Sequence, residues 1–213
     1  MAHDYRSFYR RHLPHIQPEG APLFVTFRLY GSVPKATVLG WNEERTRYRR
    51  KLELISEPDA RQRETVQYTR RKFLELEQCL DAASTGPTWL REDRIAGLVA
   101  ESLENLHRAK EIELAAFCIM SNHVHAVFTP LAKGVTPFSL AEIMQQIKGR
   151  TSRAANALLK RNGSFWESES YDHYVRDEAE YARIVEYVLN NPVKAGLVEQ
   201  WNAWRWSYTS YNV

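Results

Sequence analysis

Cys118–Phe128 reads C-I-M-S-N-H-V-H-A-V-F, with His123 and His125 set two apart inside an apolar run. In a β-strand residues i and i+2 share a face, so the two imidazoles project side by side. That spacing suits a grip on one divalent metal ion. Upstream, Ile112–Met120 is a second apolar run, and Ser121-Asn122 is turn chemistry between them. The pair therefore predicts an antiparallel hairpin with an HxH pair near its mouth.

Working outward, Leu23–Tyr30 (L-F-V-T-F-R-L-Y) is rich in β-branched and aromatic residues and predicts a central strand. Helix-period stripes follow at Ile95, Leu98, Val99, Ser102, Leu103 and Leu106 within about 91–110, a core-facing pattern. His107, near the end of that helix, is read as structural or surface. Ser139 with Glu142 forms an S-x-x-E start signal for another helix. Its inner face carries Ile143, Ile147, Thr151, Ala154 and Leu158. Its outer face carries Gln145, Lys148, Arg150, Arg153, Lys160 and Arg161, with almost no acid after Glu142. One-signed charge over several turns suits phosphate contact, through counterion release, better than generic solvation. Asp177 and Glu180 mark a last helix as a second capping box. Its apolar stripe is Tyr181, Ile184, Val185 and Val188, and Arg183, Tyr187 and Asn191 line its flank. Pro192 is expected to stop it just after Asn191. A fourth strand is expected near 171–175 or 193–198. The overall pattern is α+β, with an antiparallel sheet and helices mainly on one face.

Two outlying regions differ in character. Residues 41–85 interleave Arg45, Arg47, Arg49, Arg50 and Lys51 with Glu43, Glu44 and Glu53, and Pro58 breaks the pattern. An inserted helical hairpin is the simplest account, with a solvated, salt-bridged face preferred over a DNA-binding arm. The tail, about 199–213, holds Trp201, Trp204, Trp206, Tyr208 and Tyr211. Such aromatics can stack on bases, but packing back over the core as a lid is preferred. Ahead of the first strand, Arg6, Arg10, Arg11, His12 and His15 make a basic segment.

Composition bounds the rest. The 213 residues favour one domain, 1–213, carrying these two elaborations. Net charge is only +3, so the distribution of charge matters more than its sum. No apolar run approaches membrane-spanning length, and Met1–Arg11 lacks the apolar core of a secretory signal. The two cysteines, Cys79 and Cys118, fit no metal spacing and read as reduced cytoplasmic thiols. A metal on His123 and His125 leaves positions open for Lewis-acid work on a phosphoryl oxygen. A tyrosine hydroxyl could then serve as nucleophile, and Tyr187 is a candidate because it shares a flank with Asn191, a possible third ligand. Tyr171, Tyr174 and Tyr181 compete for that role.

Several ordered motifs together carry a resemblance. They are His12–Leu29 (H-L-P-H-I-Q-P-E-G-A-P-L-F-V-T-F-R-L), Met120–Phe128, the basic helix with Ile147-Lys148, and F-W-E at 165–167. They continue with D-H-Y-V-R-D at 172–177, E-Y-V-L-N-N-P-V-K-A-G-L-V at 186–198 and W-R-W-S-Y at 204–208. This series resembles the single-tyrosine HUH transposases, and most of all the REP-associated tyrosine transposases. Ser121 stands where relatives often have proline, which alters turn stiffness more than chemistry. The resemblance implies a ferredoxin-like fold and matches His123, His125 and Asn191 to metal-ligand positions and Tyr187 to the catalytic tyrosine. It implies Mg²⁺ or Mn²⁺ as cofactor and cleavage of single-stranded DNA beside a hairpin, through a 5′-phosphotyrosine link with a free 3′-OH. Lys148, Arg150, Arg153 and Arg183 are the expected DNA-binding residues. The expected partner is single-stranded or hairpin DNA, with no membrane and a homodimer left open. The expected location is cytoplasmic and nucleoid-associated. Two other readings stay open. One is a domesticated, non-catalytic hairpin-binding protein of the same fold. The other is an unrelated HxH metallohydrolase, for which further Asp/His ligand motifs are lacking.

Overall fold

The computed structural model describes residues 8–10, 14–16, 18–134 and 136–211. The two expected inner strands form as β4 (Ile112–Ile119) and β5 (His123–Pro130), joined by a three-residue turn in which Met120 N–H donates to His123 O at 2.9 Å. Leu23–Arg28 forms β3 and pairs antiparallel with β5. A strand at Tyr171–Tyr174 (β8) adds to β3, and one at Ser207–Thr209 (β9) adds to β4. The five-stranded order is β8-β3-β5-β4-β9, all antiparallel, so the histidine strand is central. Short pairs occur at Phe8–Arg10 (β1) with Pro14–Ile16 (β2), and at Ala132–Lys133 (β6) with Thr136–Pro137 (β7). Of the basic N-terminal segment, Arg6, Arg11 and His12 lie outside the described residues, while Arg10 and His15 fall within β1 and β2.

The helices are α1 (Lys35–Glu53), α2 (Pro58–Ala82), α3 (Asp93–Arg108), α4 (Leu140–Leu158) and α5 (Glu178–Lys194). The chain divides into two compact units, Met1–Leu29 with Thr88–Val213, and Tyr30–Pro87.

In the larger unit, Val25 and Phe27 of β3, Val124, Ala126 and Phe128 of β5, and Ile112, Leu114, Phe117 and Ile119 of β4 share one apolar core. That core also takes Ile95, Val99, Leu103 and Leu106 of α3 and Ile143 and Ile147 of α4. A bulge between Leu114 and Ala116 shifts β4 by one residue. Inward residues are therefore even-numbered before it and odd-numbered after, which hides strict alternation from the sequence. The inner stripe of α4 continues by steps of four through Thr151 and Ala155 to Leu159, rather than through Ala154 and Leu158. The start of α4 is the reciprocal cap its sequence predicts. Glu142 N–H donates to Ser139 Oγ at 3.3 Å, and Ser139 N–H donates to Glu142 Oε2 at 2.8 Å. His107 has a structural role, since its Nδ1 accepts from Leu114 N–H at 3.3 Å.

The tail packs back on the core, with Trp206 and Tyr208 against it, and does so as an added edge strand. Ile119 N–H donates to Trp206 O at 2.9 Å, and Tyr208 stacks on Phe117 at 5.4 Å. Of the two places considered for a fourth strand, 171–174 is the one used; 193–198 holds the end of α5 and a turn.

In the smaller unit α1 begins at Lys35, earlier than expected, and Pro58 occupies the first turn of α2, where its missing N–H costs nothing. Tyr48 and Tyr68 stack at 3.7 Å between the helices, flanked by Lys51–Glu64 and Arg71–Glu44 ion pairs, both at 2.7 Å. Gly86, at φ +80, closes the hairpin by passing over Gly31, where any Cβ would fall 2.2 Å from the Gly31 carbonyl oxygen. Among the described residues no helix is long and apolar enough to cross a membrane.

Candidate active site

Residues of β3 and β5 that point away from the apolar core include Phe24, Thr26, His123 and His125. They face α5, whose Tyr187 ring meets Phe24 at 6.0 Å and His125 at 5.7 Å, both edge-on. The HxH pair and Tyr187 thus come together, although 62 residues separate His125 from Tyr187 in the numbering.

Each imidazole is held from behind. His123 Nδ1 donates to Asn122 Oδ1 at 2.7 Å, and His125 Nδ1 lies 2.8 Å from Thr26 Oγ1. The two Nε2 atoms lie 3.0 Å apart, within hydrogen-bond distance of each other. Facing lone pairs repel unless a proton or a cation sits between them. Two ligands about 2.1 Å from one centre at right angles would lie about 3 Å apart, so the pair fits a shared octahedral ion. Burial pushes the His125 pKa well below the ordinary histidine value, with the neighbouring charges of His123 and Lys194 acting in the same direction. The ring is thereby kept neutral, the form that ligates metal.

Asn191 adds a third observation. Its side chain is 1% exposed, and neither its amide oxygen nor its amide nitrogen has a hydrogen-bond partner among the described residues. Buried amides without partners are costly, so such a group calls for a ligand. It lies one helical turn beyond Tyr187 on α5. The expectation that Pro192 stops this helix is corrected, because α5 runs through Pro192 to Lys194. Proline in the last turn gives up one internal hydrogen bond, and the end is closed beyond it by Gly196 at φ +68, with Leu197 N–H donating to Pro192 O at 2.9 Å. Asn191 is therefore inside the final turn, not at its tip. The start of α5 also differs from a full capping box. Asp177 Oδ1 accepts from Glu180 N–H at 2.7 Å, but the Glu180 carboxylate accepts from Arg176 N–H and His173 instead of reaching back to Asp177.

The competing tyrosines are placed differently. Tyr181 is half-buried rather than on the core stripe, with its hydroxyl 2.9 Å from that of Tyr211. Tyr174 packs against the core cluster. Tyr171 pairs with Thr26 in register and meets Phe24 at 6.1 Å. It is the Tyr187 ring that packs directly against a histidine of the pair.

The basic residues divide. Arg150 and Arg153 are exposed on α4, Arg183 is exposed on α5, and none of them makes an ion pair among the described residues. Lys148 is engaged within the chain. Its ammonium donates to Glu167 O at 2.9 Å, Ser168 O at 3.1 Å and Ser170 Oγ at 2.8 Å, so it shapes the loop ahead of β8. Arg161 likewise turns inward, stacking on Trp89 at 4.1 Å. Reading the sequence missed Thr26 and Asn122 as supports of the histidines. The available signals were a threonine in the middle of L-F-V-T-F-R-L and an asparagine immediately before the HxH pair.

Residues 88–191 match the family model of IS200-like transposases. A REP-associated tyrosine transposase of Escherichia coli K12 is 27% identical over 110 residues, covering 52% of this chain and 62% of the relative. A putative REP-associated tyrosine transposase of Haemophilus influenzae Rd is 26% identical over 101 residues, covering 45% of this chain and 57% of the relative. The chain thus spans less than two thirds of the length of the curated relatives it matches. Among solved structures, a REP-associated tyrosine transposase bound to a REP hairpin shares the fold, with a TM-score of 0.51 over 93% of this chain and 80% of that one at 18% identity. The segment from Thr88 to Asn191, which contains the histidine pair and Tyr187, matches the family model of the IS200-like transposases, and the chain is similar to the REP-associated tyrosine transposases.

Proposed function

We propose that this chain is a metal-dependent single-stranded DNA endonuclease and strand transferase that works beside hairpin or palindromic repeat DNA, with Tyr187 as nucleophile. The observation that carries the reading is the convergence of two back-braced imidazole nitrogens, 3.0 Å apart, beneath the Tyr187 ring. His123 and His125 through Nε2, and Asn191 through its amide oxygen, would hold the ion. A divalent cation such as Mg²⁺ or Mn²⁺ supplies Lewis-acid neutralisation of the phosphoryl oxygens when bound.

The chain's own residues do the remainder. The Tyr187 hydroxyl loses its proton and attacks phosphorus, the P–O3′ bond breaks, and its electron pair leaves on the 3′ oxygen, which takes up a proton. The products are a 5′-phosphotyrosine and a free 3′-OH, and attack by another 3′-OH reverses the step on a new strand. Lys194, whose ammonium lies 6.0 Å from the Tyr187 ring centroid, adds positive charge beside the reacting phosphate. Arg150, Arg153 and Arg183 offer backbone contacts, while Lys148 acts through the loop it holds. Work on chromosomal repeats would place the protein in the cytoplasm, with the nucleoid.

The test is adduct formation on end-labelled hairpin oligonucleotides carrying the host's palindromic repeats. With Mg²⁺ or Mn²⁺ the wild-type chain should become covalently labelled, and EDTA or Tyr187→Phe should abolish the label. Tyr171→Phe, Tyr174→Phe and Tyr181→Phe should keep it. Hairpin binding that is indifferent to EDTA, with no adduct from wild type on any repeat, would replace this reading with that of a non-catalytic binder.

A further inference from the structure

The helical hairpin of the smaller unit carries charge that its own structure does not use. Arg45–Lys51 reads R-T-R-Y-R-R-K, a run without an acidic residue. Two of its cations are occupied, since Lys51 pairs with Glu64 and Arg45 donates to Asn42 Oδ1 at 2.9 Å. The acids that face across the hairpin are occupied too, because Glu44 is bound by Arg71 and Lys72, and Glu75 by the same two residues. Arg47, Arg49 and Arg50 are left exposed, with no ion pair or hydrogen bond among the described residues. Tyr48 and Lys51 mark the side of α1 that meets α2, and at 100° per residue Arg47, Arg49 and Arg50 fall on the flanks and back of that helix. Glu43 and Glu53 flank them but form no ion pair with them.

We infer that α1 is a phosphate-binding arm that grips the backbone of a DNA duplex. The inference rests on the proposed DNA-nicking function for its choice of ligand. Two features argue for a duplex backbone over unpaired bases. The hairpin's own aromatics are used internally, with Tyr48 stacked on Tyr68 and Lys72 lying 5.9 Å from the ring centroids of both Trp41 and Tyr68. No free aromatic platform on α1 remains for base stacking, which single-strand grooves rely on. What remains is guanidinium charge, which contacts phosphates without reading sequence.

The experiment compares the full chain with Arg47→Gln/Arg49→Gln/Arg50→Gln by fluorescence anisotropy across a salt series. The probes are a hairpin with a long stem and a single strand containing the same cleavage site. For the long-stem probe the slope of log affinity against log salt should become shallower by about 2–3, close to one for each phosphate no longer neutralised. The single-strand slope should not change. The Arg→Lys version of the triple variant should keep the wild-type slope, because point charge suffices for phosphate. All versions should melt alike, since the three side chains hold nothing in the folded chain. An unchanged slope on the long stem overturns the inference. An equal fall on the single strand overturns the duplex assignment, as does a larger fall on an RNA hairpin of the same sequence. If wild type makes no covalent adduct, the nuclease reading fails, while the salt slopes still decide whether α1 binds duplex.

Discussion

The two faces of the central sheet are made by alternate residues of the same strands, yet they obey different rules. In β5, Val124, Ala126 and Phe128 enter a close-packed apolar core, whereas His123 and His125 enter an interface with α5 that also buries Thr26 and Asn191. One face lowers the free energy of folding. The other retains polar groups that water would solvate better, including an amide with no hydrogen-bond partner among the described residues. Such a face adds little to stability, so the contrast separates scaffold from candidate site within a single strand.

The contrast can be tested by changing one face at a time. The largest effect is expected on the apolar side. Phe128→Ala should cost about 3–5 kcal/mol, read as a fall in the urea midpoint, because a fully buried ring is replaced by a cavity. Adduct formation per folded molecule should survive. A cost below about 1 kcal/mol would mean that this face is not the scaffold.

On the polar side, Thr26→Val removes the partner of His125 Nδ1. Supports of this kind typically contribute about 10–100-fold to metal affinity, so Mn²⁺ titration calorimetry should show a loss of that order. Unchanged affinity would remove the threonine from the site.

The smallest effect is the one of unusual sign. Asn191→Leu should leave the metal-free protein as stable or about 1 kcal/mol more stable, because it replaces an unsatisfied buried amide with an apolar group of similar size. It should abolish metal-dependent adduct formation at the same time. A clear loss of stability in the metal-free state would show that the amide serves the fold, and would sink its assignment as a ligand.

Much of the molecule is legible in one dimension because it rests on local rules. The period-two placement of His123 and His125, the turn at Ser121-Asn122, the helical stripe of α3 and the reciprocal cap of Ser139 with Glu142 each depend on near neighbours. Features that depend on distant partners are harder to read. The tail's alternating Trp204, Trp206 and Tyr208 are too short a run to say what they pair with, and β9 forms because the edge of β4 offers unpaired backbone groups. Lys148 reads as one more cation on a basic face until the loop at 167–170 comes within reach of its ammonium. Pro192 reads as a terminator because a local rule counts the missing hydrogen bond, not the packing of Val188, Leu189 and Asn191 that keeps the last turn helical.

By itself, then, the sequence determined which residues can occupy a strand or a helix and which faces they share, since backbone geometry fixes those periods. It also determined the HxH pair as a metal candidate. Only the tertiary structure decided that the Tyr187 ring meets His125 of the HxH pair, and that Thr26 and Asn122 brace the imidazoles from behind. The reason is physical. Proximity between β3, β5 and α5 is set by burial of the whole sheet, a collective free energy that no short window of sequence contains.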